Sequence, residues 1–164
     1  MRVVADSDLD GLMAAAVLKA SKPELEVHFA HPALLRSGNL DHLIDRQTAI
    51  CDLPFHKDCG LYLDHHLTNR PTHEEEVEFE STGGICHWRD TPSAARAAFD
   101  LMKDELDLSH LEEVMPIVDA LDSGGITLQE FMEDGPIIRL SRSLSMSDPE
   151  HMQEVMHQFA SGMK

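Results

Sequence analysis

Leu61-Tyr62-Leu63-Asp64-His65-His66 carries three apolar residues straight into a carboxylate and two adjacent imidazoles. An apolar run that stops abruptly at polar residues reads as a buried strand delivering side chains to the rim of a sheet. In parallel sheets that rim, outside the carboxyl ends of the strands, is where chemistry sits. Successive side chains on extended backbone point to opposite faces, so either a turn aims His65 and His66 together or they have different tasks; we favour different tasks. The pattern recurs twice upstream. Arg2-Val3-Val4-Ala5 ends in Asp6-Ser7-Asp8-Leu9-Asp10-Gly11, and Thr48-Ala49-Ile50-Cys51 ends in Asp52-Leu53-Pro54. Three such segments collect at least four carboxylates and two imidazoles on one edge, and that much negative charge requires cations.

A chain of 164 residues, 42% hydrophobic and 26% charged, can bury one good core and is ordinary for a globular domain. Its formal net charge of −17 repels nucleic-acid backbone over most of the surface. That argues against a long-duplex binder and for small phosphorylated ligands held through metal ions. Cys51, Cys59 and Cys86 form an odd set without CxxC spacing, as expected of reduced thiols in a cytoplasmic protein. No apolar run approaches a membrane span, and no signal peptide or lipidation motif is visible.

Read in order, Arg2–Ala5 predicts a central strand and Gly11–Ala20 a helix with Asp10 near its N-cap. Alternate carboxylates at Asp6, Asp8 and Asp10 suit metal ligation, and equally suit capping and turn formation. Further strands are expected at Glu24–Ala30, Thr48–Leu53, Gly60–Leu63 and, from alternation, Val77–Glu80, with a turn at Gly83-Gly84. Helices are expected from Thr91 as N-cap with Pro92 in the first turn and Ala95, Ala98, Phe99 and Met102 at helical spacing, over Ser109–Leu121 with a bend at Pro116, over Gln129–Glu133, and over Asp148–Ala160 capped by Ser147 or Asp148. Met146, Met152, Met156 and Met163 read as core filling. Asp119 and Asp122 near a helix C-terminus oppose the macrodipole, which disfavours them by up to about 1 kcal/mol and hints at another interaction.

Taken together, Asp6-x-Asp8-x-Asp10-Gly11, Asp52-x-Pro54, Asp64-His65-His66 and Asp119-x-x-Asp122 occur in the order and approximate spacing of the four motifs of DHH-family phosphoesterases. The chain resembles that family over residues 1 to about 125. The resemblance implies a doubly wound α/β domain, with a mostly parallel five-stranded sheet flanked by helices. It implies a centre of two metal ions, usually Mn²⁺ with Mg²⁺ or Co²⁺ as substitutes, that hydrolyses phosphoester or phosphoanhydride bonds. Asp8 and Asp10 then correspond to metal ligands with Asp6 beside them, Asp52 to the bridging carboxylate and His65 to the ligand imidazole. Asp64 corresponds to its supporting carboxylate and His66 to a phosphate contact. The fourth acid is Asp119 or Asp122, with preference for Asp122 because it precedes Ser123. Carboxylate and imidazole donors without thiolate suit such ions.

The substrates implied are small: short oligonucleotides, nucleoside bisphosphates, cyclic dinucleotides or polyphosphate. Residues 1–125 form the expected catalytic core and 126–164 a helical extension of the same domain. The family's usual second, substrate-gripping domain is expected to be absent, because no Gly-rich basic segment follows. No Lys/Arg cluster beside the motifs is apparent, and self-association through an exposed apolar patch is a further expectation. The competing reading is an isolated or degenerate module that binds metal, nucleotide or a partner without efficient turnover.

Overall fold

The computed structural model describes residues 1–144 and 148–162; Met146, Ser147 and Met163 lie outside them. Five strands, β1 (Arg2–Asp6), β2 (Glu26–Ala30), β3 (Thr48–Cys51), β4 (Leu61–Asp64) and β5 (Ile85–Trp88), form one sheet in the order β2-β1-β3-β4-β5. Every pairing is parallel. Eight α-helices complete the described chain: α1 (Leu9–Ser21), α2 (Pro32–Arg36), α3 (His73–Ser81), α4 (Ala94–Met102), α5 (Met115–Asp122), α6 (Leu128–Glu133), α7 (Pro136–Leu144) and α8 (Pro149–Ser161). This is the doubly wound α/β arrangement, whose strand order reverses between β1 and β3. No helix among the described residues is long and apolar enough to cross a membrane.

Side-chain alternation along the strands divides the core between two faces. Val3, Ala5, Ala49, Cys51 and Leu63 pack with α1, α4, α5 and α8, where Ala14, Ala15 and Ala16 let α1 lie close to the sheet. Val4, Ile50, Tyr62 and Cys86 face Leu35 of α2 and Phe79 of α3. Because both faces are covered at the middle of the sheet, β1, β3 and β4 are mostly apolar on both faces rather than alternating, whereas β2, nearer the edge, keeps Glu26 and His28. Met152, Val155 and Met156 of α8 belong to the first core, so the C-terminal helix packs in the same layer as α1. All three cysteines are buried free thiols.

Several local expectations change. Val77–Glu80 is helical, inside α3, because Thr72 and Glu75 form a reciprocal capping box that starts a helix. The fifth strand is instead Ile85–Trp88, after the turn at Gly83, whose φ of +89° is left-handed. Pro116 opens α5 rather than bending a longer helix, since its missing N–H is harmless in a first turn. Asp8, not Asp10, caps α1, its Oδ1 accepting from Gly11 N at 2.9 Å. Asp148 caps α8.

Register decides what reaches the rim. Ala5 is paired with Cys51, Cys51 with Leu63, and Asp64 with Trp88, so Asp6, Asp52, Asp64 and Trp88 stand level at the carboxyl edge. Gly11 holds α1 against that edge: a Cβ there would overlap the Asp6 carbonyl oxygen and lie 2.7 Å from the Asp6 nitrogen. Backbone cannot yield as a flexible side chain can, so Gly11→Ala is expected to lower the melting temperature by roughly 5–10 °C. Thermal denaturation followed by circular dichroism checks this; an unchanged midpoint would show that the β1–α1 junction relaxes freely.

Candidate metal centre

The site gathers at the β1/β3 switch point. Asp6 ends β1, Asp8 caps α1 and Asp10 lies in its first turn, so one strand–turn–helix unit supplies three carboxylates. Asp52 follows β3 with φ of 58°, a left-handed conformation that costs a non-glycine residue about 1 kcal/mol and that Asp tolerates better than most. Its N–H is held by Leu63 O at 3.0 Å. Asp64 ends β4, His65 and His66 follow it, and Asp122 is the last residue of α5.

These side chains converge. His65 Nε2 lies 3.1 Å from Asp122 Oδ2, 3.5 Å from Asp10 Oδ2 and 3.9 Å from Asp52 Oδ1. His66 Nδ1 lies 3.0 Å from Asp64 Oδ1 and 3.4 Å from Asp52 Oδ1. Three overlapping donor groups result: Asp6, Asp8 and Asp52; Asp10, His65 and Asp122; and Asp52, Asp64, His65 and His66. A small cavity of about 100 Å³ opens beside them, lined by Asp8, Asp10, Asp122 and Ser141.

The two imidazoles are held differently. His65 Nδ1 donates to the Thr91 carbonyl at 3.0 Å, since a carbonyl can only accept, which leaves Nε2 facing the carboxylates. His66 hydrogen-bonds Asp64, whose Oδ1 also accepts from the backbone N–H groups of His65 and His66. Asp64 Oδ2 accepts from the Tyr62 hydroxyl at 2.8 Å. Asp64 is thus a fully buried orienting group rather than one that faces the cavity. Period two puts Tyr62 on the same strand face as Asp64, a signal legible in the sequence. The role of Thr91 had no such signal, being a main-chain carbonyl.

Asp119 and Asp122 part ways. Asp119 accepts from Ser93 Oγ at 2.7 Å and from Arg96 through Nε at 3.0 Å and Nη2 at 2.6 Å, while Asp122 faces His65. The interaction that sequence reasoning sought for acids at the end of α5 is therefore a salt bridge for one and the imidazole for the other. Asp10 accepts from Ala94 N at 2.8 Å and Ala95 N at 2.7 Å, at the start of α4. The dipole end of α4 offsets part of the penalty for a carboxylate only 3% exposed.

Burial, followed by the Asp122 charge, pushes the Asp10 carboxyl up to about 8. Burial and Asp8 push Asp6 up to about 6. Burial also raises Asp8, and raises Asp52 well above the carboxylate range with Asp10 adding to it. The Asp52 carboxylate, 3.4 Å from His66 Nδ1, and the hydrogen bond to Asp64 push the His66 pKa up to about 11, which favours its imidazolium form. Burial opposes charge on His65, but Asp122 and Asp10 outweigh it and raise its pKa. Burial likewise opposes charge on Asp64, but the hydrogen bonds it accepts, from His66 first, prevail and lower its pKa.

Such frustrated carboxylates fit divalent cations. Asp52 Oδ1 and His65 Nε2 are buried atoms without a hydrogen-bond partner, both pointing among acids, and unpaired buried acceptors are costly unless a cation completes them. The donor set of carboxylates and imidazole is that of Mn²⁺, Mg²⁺ or Co²⁺ sites. Three arginines stand beside the end of β5 and the loop after His66: Arg70 lies over the Trp88 ring, Arg89 donates to Trp88 O, and Arg36 reaches Asn69. They are scattered along the chain and only the fold brings them to one flank.

No protein-family model matches the chain, and no curated protein matches it. Among solved structures, a pGpG-specific phosphodiesterase, PggH from Vibrio cholerae, is similar with a TM-score of 0.74 and 24% sequence identity. The match covers 97% of this chain and 52% of that protein, so the chain spans about half the length of its neighbour. At that identity the likeness shows the fold: a five-stranded parallel α/β domain with helices on both faces.

Proposed function

We propose that the chain is a two-metal phosphodiesterase domain of DHH type that acts on short phosphorylated substrates, a linear dinucleotide being the first to try. The observation that carries this reading is the pair of donor groups, Asp6/Asp8/Asp52 and Asp10/His65/Asp122, with Asp52 and His65 each presenting an unpartnered buried atom to their midst. Asp52 lies between the groups and suits a bridging role. Mn²⁺ is the favoured ion, with Mg²⁺ or Co²⁺ as substitutes. When bound, such a pair of ions supplies an acidified water and a charge clamp on the attacked phosphate. The name of the structural neighbour supports a dinucleotide among the small substrates that the motifs imply.

The chain's own residues prepare that chemistry. Thr91 fixes the His65 tautomer, and the α4 N–H groups hold Asp10. Asp64, tied down by Tyr62, orients His66, and the imidazolium is a cation beside the centre, suited to a developing phosphate charge. Incubation of the purified chain with Mn²⁺ and pGpG should give mononucleotides, with activity lost on chelation and restored by metal. Metal uptake without hydrolysis of dinucleotides, nucleoside bisphosphates, cyclic dinucleotides or polyphosphate would favour the competing reading of a binding module.

Two comparisons separate the roles. His65→Ala is expected to lose metal affinity, whereas His66→Ala keeps it and loses about 10²-fold or more in kcat. Equal metal loss in both, measured by metal analysis, would refute this division. Asp122→Asn is expected to weaken metal binding about 10–100-fold, while Asp119→Asn binds metal normally and lowers stability by about 1–3 kcal/mol through its lost Arg96 pairing. Calorimetric titration beside thermal melts reads both, and the reverse pattern would transfer the ligand role to Asp119.

A further inference from the structure

The flank of the rim beside His66 is basic and aromatic in an otherwise acidic chain. Trp88, the last residue of β5, donates its indole Nε1–H to the His66 carbonyl at 3.0 Å, which ties the ring to the backbone of the paired imidazoles. The Arg70 guanidinium lies over that ring, 4.3 Å from its centroid. Arg89 folds back to donate to Trp88 O at 2.8 Å, and Arg36 reaches Asn69 Oδ1 at 3.4 Å. All three arginines are exposed, and none pairs with a carboxylate among the described residues, although the chain has 30 acids against 13 Lys and Arg. Arg2, Arg96, Lys103 and Arg142 do find carboxylates. Guanidinium groups left without an acid partner in so acidic a protein are available to an anion from outside. Between His66 and Arg70, Leu67 adds an apolar surface that is 75% exposed.

We infer that this flank is a nucleotide subsite, in which a base stacks on the Trp88–Arg70 pair while Arg89 and Arg36 hold a phosphate remote from the one cleaved. The inference rests on the phosphodiesterase reading and extends it from the scissile phosphate to the rest of the substrate. The Arg70 guanidinium lies over the indole, 4.3 Å from its centroid, and its exposed side is open to a base. Stacking of this kind tolerates any base, because each presents a π-face, so the subsite selects nucleotides over bare phosphoesters without strong base preference. It also supplies the cationic grip that the acidic surface elsewhere denies to a substrate.

Trp88 is the only tryptophan, so tryptophan emission, excited selectively over Tyr62, reports on this flank alone. The probe is a 5′-phosphorylated guanine dinucleotide with a phosphorothioate linkage that resists hydrolysis, titrated into the metal-loaded chain. We expect a saturable change in Trp88 emission and a Kd about tenfold weaker in Arg70→Ala, with Arg70→Lys recovering only part of it because it restores charge without the planar face. Ribose 5-phosphate at the same concentrations is expected to give no saturable change. An absent signal, equal affinity in Arg70→Ala, full recovery by Arg70→Lys, or an equal response to ribose 5-phosphate would each overturn the subsite. Hydrolysis of bis(p-nitrophenyl) phosphate by the wild-type chain with Mn²⁺ reports on the metal centre separately. Failure there would count against the phosphodiesterase reading while the fluorescence titration still judged the subsite.

Discussion

Asp52→Asn is expected to abolish metal-dependent turnover, by about 10³-fold or more, and to leave the metal-free protein at least as stable as the wild type. The two effects have one cause. Asp52 is 3% exposed, sits between both donor groups, and has a carboxyl raised well above its usual range, by burial first and then by Asp10. Without cations this carboxylate is a liability, and Asn removes the charge while tolerating the left-handed backbone at φ of 58°. With cations it would be the shared donor of the proposed centre, and its loss would uncouple the two groups. Melting in chelator and in saturating Mn²⁺ separates the two. Wild type should gain about 2.7 kcal/mol when free metal is a hundred times Kd, whereas the variant should gain little. A full Mn²⁺-induced shift in Asp52→Asn would remove Asp52 from the centre.

The second large effect is on pH dependence. In chelator, the melting temperature should fall as pH rises from about 4 to about 8. Asp6, raised to about 6, and Asp10, raised to about 8, bind their protons more tightly in the folded than in the unfolded chain, and Asp8 and Asp52 are raised as well. Their stabilising contribution is fully present below the unfolded value of 3.8 and is lost as pH rises through the folded values. His66, raised from 6.5 to about 11, stabilises fully below 6.5 and loses that contribution towards pH 11, so it extends the decline on the alkaline side. Asp64, whose pKa is lowered, works oppositely, its contribution being lost only as pH falls. Saturating Mn²⁺ should flatten or invert the profile, because metal binds deprotonated ligands. A melting temperature in chelator that stays level from pH 5 to 8 would show that the carboxylates do not repel one another in the folded chain.

Much of this was legible in one dimension. β1, β3 and β4 announce themselves because an apolar run that stops at an acid is a local pattern, and the parallel sheet follows from strands that are apolar on both faces. The candidate ligands Asp6, Asp8, Asp10, Asp52 and His65 were legible for the same reason: each stands at or just past the end of such a run. The fifth strand was misplaced because Val77-Glu-Phe-Glu alternates by chance on a helix that buries only Phe79, while the capping pair Thr72 and Glu75, three positions apart, was the signal to weigh. What the sequence could not determine is whatever depends on register and on distant segments meeting. The different partners of His65 and His66 are a carbonyl 26 residues away and the Asp64 carboxylate at the end of β4. The different surroundings of Asp119 and Asp122 come from Arg96, which pairs with the first, while the second lies against the His65 imidazole. The basic flank exists only because β4 and β5 align Asp64 with Trp88, whose ring lies under Arg70 and whose carbonyl accepts from Arg89. Local periodicity says which face a residue occupies; which residues share a point in space is settled by packing the strands side by side, and that is a property of the folded sheet alone.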